Sequence, residues 1–182
     1  MVGILEDIEK FVKEHPYITA AVVGLTAAGI AWVVAKNGKR TYTIKAGTKD
    51  AGINLFNDLL SNAGHFPEEI LLCDPYISSQ TLKLFVVFKG KVKKVKILAS
   101  NIKKNGIKFS LDKRYIEMSC GVSFEIKQNP NLHDRYMLFG DRCLLIGSSL
   151  NYLGNKDTTV IEDNELLTGH KKLFEERWDE VK

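Results

Sequence analysis

The sequence predicts an α/β protein: a mixed β-sheet flanked by helices, preceded by one N-terminal transmembrane helix. Two observations carry this expectation. Beyond residue 47, segments with apolar residues at the helical period alternate with short continuous apolar runs of strand length, the pattern of layered α/β folds. Before it, Tyr17 to Ala35 runs nineteen residues without a charge. At helical rise that run covers about 28 Å, against a hydrocarbon core of about 30 Å.

In chain order, residues 1–16 read as a short amphipathic segment with Ile4, Leu5, Ile8, Phe11 and Val12 along one side, suited to a membrane interface. Residues 17–35 form the expected span, with Tyr17 and Trp32 near its two ends as an aromatic belt requires. Glu6, Asp7, Glu9 and Glu14 outnumber Lys10 and Lys13 on the leading side, while Lys36, Lys39 and Arg40 follow the run. A signal peptide carries a basic leading segment, so that reading fits poorly. The positive-inside rule makes this a single-pass membrane protein with its C-terminal domain in the cytoplasm. Residues 36–47 read as a linker ending in an extended stretch, Thr41 to Ile44.

Residues 48–182 make one domain. Ile53, Leu55, Phe56, Leu59 and Leu60 recur at the helical period between Asp50 and Ala63. Glu69 to Cys73 is an apolar strand running into Asp74-Pro75-Tyr76. Ser78 and Ser79 offer an N-cap for a helix reaching about Phe88, which Gly90 ends. Val95 to Ala99 reads as a strand, Leu111 to Met118 as a helix, and Val122 to Lys127 as a strand. Thr158 to Glu162 is a further strand. Glu165 to Val181 closes the chain as a helix, with Leu166, Leu167, Phe174 and Trp178 inward.

Composition narrows the chemistry. The net charge of +4 is too small to call for nucleic acid by itself. Cys73, Cys120 and Cys143 stand far apart in apolar surroundings, which argues for buried reduced thiols and against a zinc site. No metal-ligand spacing and no cofactor motif is present, so neither is expected. Pro75 to Ser110 contains no Asp or Glu and nine lysines. Among them Lys91, Lys93, Lys94, Lys103 and Lys104 are candidates for a phosphate or polyanion surface, the alternative being a solvated face.

The stretch from Leu132 to Asn151 carries the candidate chemistry. Tyr136 to Phe139 and Cys143 to Ile146 read as two strands joined by a Gly140-Asp141 turn. His133 and Arg135 sit two residues apart on one arm, an imidazole beside a fixed guanidinium; Ser148, Ser149 and Asn151 lie at the end of the other. A nucleophile or base beside a planar cation is what a phosphoryl group requires.

This stretch resembles the signature of the phospholipase D superfamily, His-x-Lys-x4-Asp-x6-Gly-Ser-x-Asn. Ile70 to Tyr76 is similar to the first core strand and turn of many members, and the likeness covers roughly residues 48–180. Arg135 stands in the lysine slot, five residues separate it from Asp141, and Ser148 falls in the glycine slot with Ser149-x-Asn151 in register. The resemblance implies a phospholipase D-like domain hydrolysing phosphodiester bonds, of nucleic acid or phospholipid, without metal and through a phosphohistidine intermediate. It implies His133 as nucleophile, Arg135 as phosphate clamp, Ser149 and Asn151 as donors, Asp141 in a structural role at the turn, and Glu162 orienting the imidazole. With one motif per chain, a second histidine must come from another subunit, hence a homodimer. Arg135 also leaves open a module without turnover that binds anionic lipid, phosphoinositide-like headgroups or nucleic acid.

Overall fold

The computed structural model describes residues 22–25, 31–34, 39–62, 66–102 and 107–181. In chain order the strands are β1 (Val22–Leu25), β2 (Ala31–Val34), β3 (Arg40–Ile44), β4 (Glu69–Cys73), β5 (Tyr76–Ile77), β6 (Lys94–Ala99), β7 (Asn101–Ile102), β8 (Ser123–Gln128), β9 (Tyr136–Phe139), β10 (Arg142–Ile146) and β11 (Thr158–Glu162). The helices are α1 (Ala51–Ser61), α2 (Ser79–Leu84), α3 (Ile107–Cys120) and α4 (Leu167–Glu180).

Nine strands form one sheet in the order β1-β2-β3-β11-β10-β9-β4-β6-β8, and β5 and β7 pair separately. From β4 through β6 to β8 the strands are parallel. From β9 outward every pairing is antiparallel. The seam is the antiparallel β4–β9 pair, where Cys73 faces Tyr136. It brings the carboxyl end of β4 beside the amino end of β9.

Alternation along β4 sorts the core. Ile70 and Leu72 join Leu55, Phe56, Phe85, Phe88 and Phe139 on one face, under α1, α2 and α3. Leu71 and Cys73 join Leu98, Tyr136, Leu138 and Phe174 on the other, under α4. The Phe56 and Phe88 rings meet at 5.2 Å and those of Phe85 and Phe124 edge-on at 5.7 Å. Each such buried ring contributes about 1.5–3 kcal/mol. Ser78 caps α2 in a capping box with Thr81. Lys127 Nζ donates to the carbonyls of Trp178 (2.8 Å) and Val181 (2.6 Å), satisfying the last turn of α4.

Three expectations are corrected. No helix among the described residues is long and apolar enough to cross a membrane. Within the stretch expected to span, Val22–Leu25 and Ala31–Val34 are instead antiparallel strands, and the second pairs with β3. A mixed α/β sheet with helices therefore stands without the expected transmembrane helix, and the single-pass placement with a cytoplasmic domain falls with it. The physical reason is that a continuous apolar run has no period, and the β-branched pairs Val22-Val23 and Val33-Val34 suit a strand. Second, the stretch read as a linker ends in an extended segment as expected, but that segment is β3, which lies inside the sheet between β2 and β11. Third, Lys39, counted as a membrane-flanking cation, pairs with Asp163 at 2.7 Å and with Glu165 at 3.4 Å. The amphipathic reading of residues 1–16 lies outside the described residues.

Candidate functional site

Chain reversal at the seam gathers side chains from three distant stretches. Ligand sites in open sheets form beyond the carboxyl ends of parallel strands where the strand order turns back. Here that position holds Asp74, just past β4, the segment 133–135 leading into β9, and the segment 147–151 leaving β10.

Asp74 is 1 % exposed and ties the end of β4 to the segment 147–151. Its Oδ1 accepts from the amide of Tyr76 at 3.0 Å and its Oδ2 from the amide of Leu150 at 2.7 Å. Ser149 Oγ lies 3.0 Å from the same Oδ2 and 2.6 Å from the carbonyl of Tyr76, so its single proton serves one of two acceptors. Burial pushes the Asp74 carboxyl above its ordinary value, against the pull of the two amides, the Ser149 hydroxyl and the charge of Arg135.

Arg135 is half-buried, and its carbonyl accepts from the amide of Ile146 at 2.9 Å, which fixes its backbone to β10. Its Nε is buried without a hydrogen-bond partner among the described residues. A buried guanidinium N–H with no acceptor carries the full cost of lost hydration, which an incoming anion would relieve. His133 is exposed two residues earlier. Between them Asp134 turns to the other face, where its Oδ2 accepts from Arg177 Nη1 at 2.6 Å. The first arm of the hairpin pairs only from Tyr136, so His133 and Arg135 precede the strand.

Asn151 follows in a 3-10 turn, Leu150–Tyr152, that Ser149 caps. Its Oδ1 meets Ser78 Oγ in a short hydrogen bond. Ser148 Oγ lies 3.0 Å from Thr158 Oγ1. At Gly147 the fold leaves no room for a side chain. A Cβ there would lie 2.9 Å from the carbonyl oxygen of Thr159, which also accepts the Gly147 amide at 2.9 Å. The steric demand thus falls one residue before Ser148, to which the sequence resemblance assigned the glycine slot.

Glu162 lies away from its expected place beside His133, and Asp141 lies at the turn where it was expected. Glu162 does not orient an imidazole. At the far end of β11 it takes a bidentate pair from Arg142, Nε and Nη2 each at 2.7 Å, and a hydrogen bond from Tyr42 at 3.2 Å. Burial alone would raise its pKa; the hydrogen bonds and charge of Arg142 outweigh that and hold it low. Burial also pushes the Tyr42 hydroxyl up to about 12. Asp141 sits exposed in the Gly140-Asp141 turn, at the opposite end of the hairpin from His133, and its carboxylate has no partner among the described residues. Gly140 takes φ +63 there, as two-residue hairpin turns require.

The lysine surface stands apart from this site. Lys93 pairs with Glu68 at 2.5 Å, Lys94 with Glu125 at 2.8 Å, and Lys91 lies over the Phe66 ring. Acids distant in sequence thus pair with Lys93 and Lys94 on this face, which surrounds the amino end of β6, away from Asp74. Lys103 and Lys104 lie outside the described residues. No group of three His, Cys, Asp or Glu that could hold a metal ion occurs among the described residues.

Asp74, Tyr76 and Ser78 were not read as site residues. Their signal was an Asp-Pro-Tyr closing an apolar strand: a carboxylate at a strand end needs a specific partner to be buried.

Fold and site together define a mixed α/β protein with a cationic, hydrogen-bonding site at its strand ends. No family model matches the chain, and no curated protein matches it. Among solved structures, the polyphosphate kinase of Porphyromonas gingivalis is similar at a TM-score of 0.53 and 13 % identity, covering 76 % of this chain and 26 % of that one. The archaeal chromatin protein TrmBL2, whose structure shows a novel mode of DNA binding, aligns at a TM-score of 0.47 and 14 % identity, covering 99 % of this chain and 62 % of that one. The chain thus spans less than two thirds of either protein. The first of these likenesses speaks for the fold alone.

Proposed function

We propose that the chain is a phospholipase D-like phosphodiesterase, its strand-end site holding one phosphodiester group. The observation that carries this reading is Arg135, whose buried Nε lacks an acceptor among the described residues. A phosphoryl oxygen is the acceptor a fixed guanidinium fork fits best. In the reaction, His133 attacks phosphorus, the bond to the leaving oxygen breaks, and a phosphohistidine forms. A histidine of a second copy protonates the leaving oxygen, and water then displaces phosphorus from His133. Arg135 and the Asn151 amide hold the charge that grows on the phosphoryl oxygens.

A second reading is binding without turnover. It is favoured by the engagement of Glu162 with Arg142 and by His133 having no hydrogen-bond partner among the described residues. One experiment separates the two. The full-length protein, with EDTA present, is incubated with single-stranded DNA, RNA and cardiolipin. Hydrolysis of one of them, abolished in His133→Ala, supports the first reading. Equal activity of His133→Ala rejects the phosphohistidine mechanism. Binding that Arg135→Ala weakens, with no product at any time, supports the second.

A further inference from the structure

Past Asp74, the chain forms a second, smaller pairing. Strand β5 runs parallel to β7, placing Tyr76 opposite Asn101 and Ile77 opposite Ile102. Side chains alternate across such a pair. Ile77 is fully buried, so Tyr76 and Asn101 share the outward side, and both are exposed, Tyr76 by 41 %. Among the described residues, neither the Tyr76 hydroxyl nor the Asn101 side-chain amide has a hydrogen-bond partner. The Tyr76 backbone, in contrast, is held at both ends, its amide by Asp74 and its carbonyl by Ser149. Asn101 is fixed likewise, its amide donating to the Pro75 carbonyl at 2.7 Å. A free aromatic face and a free amide are thus set rigidly against the residues that hold the phosphodiester.

We propose that the phosphodiester taken at this site is that of a single-stranded nucleic acid, with Tyr76 and Asn101 as the platform for one base. The inference rests on the reading of Arg135 as a phosphodiester clamp. Bases of single strands stack on exposed aromatic rings and offer their edges to amide side chains. The rest of the rim agrees: Gln128, Asn129, Asn131 and Ser148 are polar, and Tyr76 is the one large exposed apolar side chain in segments 74–79, 99–102, 128–135 and 147–152. A phospholipid would need an apolar track for two acyl chains beside its headgroup. The exposed stripe Ile107, Leu111, Tyr115 and Met118 lies instead along α3.

The test measures equilibrium binding of the full-length protein to three probes: a labelled oligothymidylate, an abasic deoxyribose-phosphate oligomer of equal length, and phosphatidylcholine vesicles containing phosphatidylglycerol. The oligothymidylate is expected to bind more tightly than the abasic oligomer. Tyr76→Ala weakens it roughly 5- to 150-fold, the range for one lost base stack. The same variant leaves abasic binding unchanged, and Tyr76→Phe restores the oligothymidylate. Vesicle binding in place of oligonucleotide binding overturns the proposal, as does equal oligothymidylate affinity for wild type and Tyr76→Ala. Arg135→Ala separates the two levels. If it weakens both oligomers while Tyr76→Ala changes neither, the platform alone is wrong. If it weakens neither, the phosphodiester site itself is wrong. Far-UV circular dichroism and the Tm of each variant confirm that it is folded.

Discussion

The carboxylate of Asp74 and the amide of Leu150, seventy-six positions apart in sequence, meet in a buried 2.7 Å hydrogen bond. This bond ties the end of the parallel half of the sheet to the turn that presents Asn151. Both Asp74 oxygens accept a backbone N–H, a task an asparagine side chain performs with one oxygen only.

Asp74→Asn is therefore expected to leave one buried N–H unpaired and to cost about 1–3 kcal/mol. Urea unfolding of the variant against wild type measures this. An unchanged midpoint would show that the turn does not depend on the carboxylate.

Arg142 and Glu162 form a buried ion pair, closed by Tyr42 and by the Leu59 carbonyl, which accepts from Arg142 Nη1 at 2.9 Å. Glu162→Ala strands a buried guanidinium, and a loss of about 3–5 kcal/mol is expected in the same assay.

The pair also sets an acid limit. Its carboxylate titrates lower in the fold than the ordinary value of 4.5, so its contribution is complete above 4.5 and is lost as pH falls through the folded value. Asp74 runs the other way. Its folded value is raised above the ordinary 3.8, so its ionisation costs stability, and acidification relieves that cost. Stability measured from pH 6 downward is expected to fall in wild type below about 4.5, and to fall less steeply in Glu162→Gln. Parallel curves would remove Glu162 as the source.

Gly147→Ala places a methyl 2.9 Å from a backbone carbonyl that cannot swing aside. A loss of about 1–3 kcal/mol is expected, with weakened ligand binding as Ser148 to Asn151 shift. Thermal unfolding and binding isotherms report the two effects separately.

Arg135→Ala is expected to lower affinity for a phosphodiester ligand and to reduce the slope of log K against log salt by about 1, one phosphate contact fewer. An unchanged slope would place the phosphate elsewhere.

Much of the sheet was legible because burial leaves a one-dimensional trace. Glu69 to Cys73 and Thr158 to Glu162 fall on β4 and β11 to the residue, and Ser78 caps its helix as read. The helix read from Leu111 to Met118 runs from Ile107 to Cys120 instead. Its buried Phe109, Ile116 and Cys120 share the element with exposed Leu111, Tyr115 and Met118, so two apolar faces blur the period. Site membership was legible only where neighbours in sequence are neighbours in space, as for His133 with Arg135 and for Ser149 with Asn151. Glu162 was read into the site because motif spacing does not encode strand direction, which carries it to the far end of the sheet. The acids that neutralise Lys93 and Lys94 arrive from β8 and from the segment before β4, which no local charge count reveals.

The antiparallel seam between β4 and β9 has a kinetic consequence. Neither the parallel unit of β4, β6 and β8 nor the β9–β10 hairpin contains the site, since Asp74 belongs to one and Arg135 and Ser149 to the other. Joining them closes a loop of some sixty residues, from Cys73 to Tyr136, and long closures of this kind are slow steps in folding. During refolding from denaturant, binding competence should therefore return with the last structural phase and not with the first helices. Any ligand held there stabilises that closure by mass action, so a bound strand would act as a clasp across the two halves of the sheet.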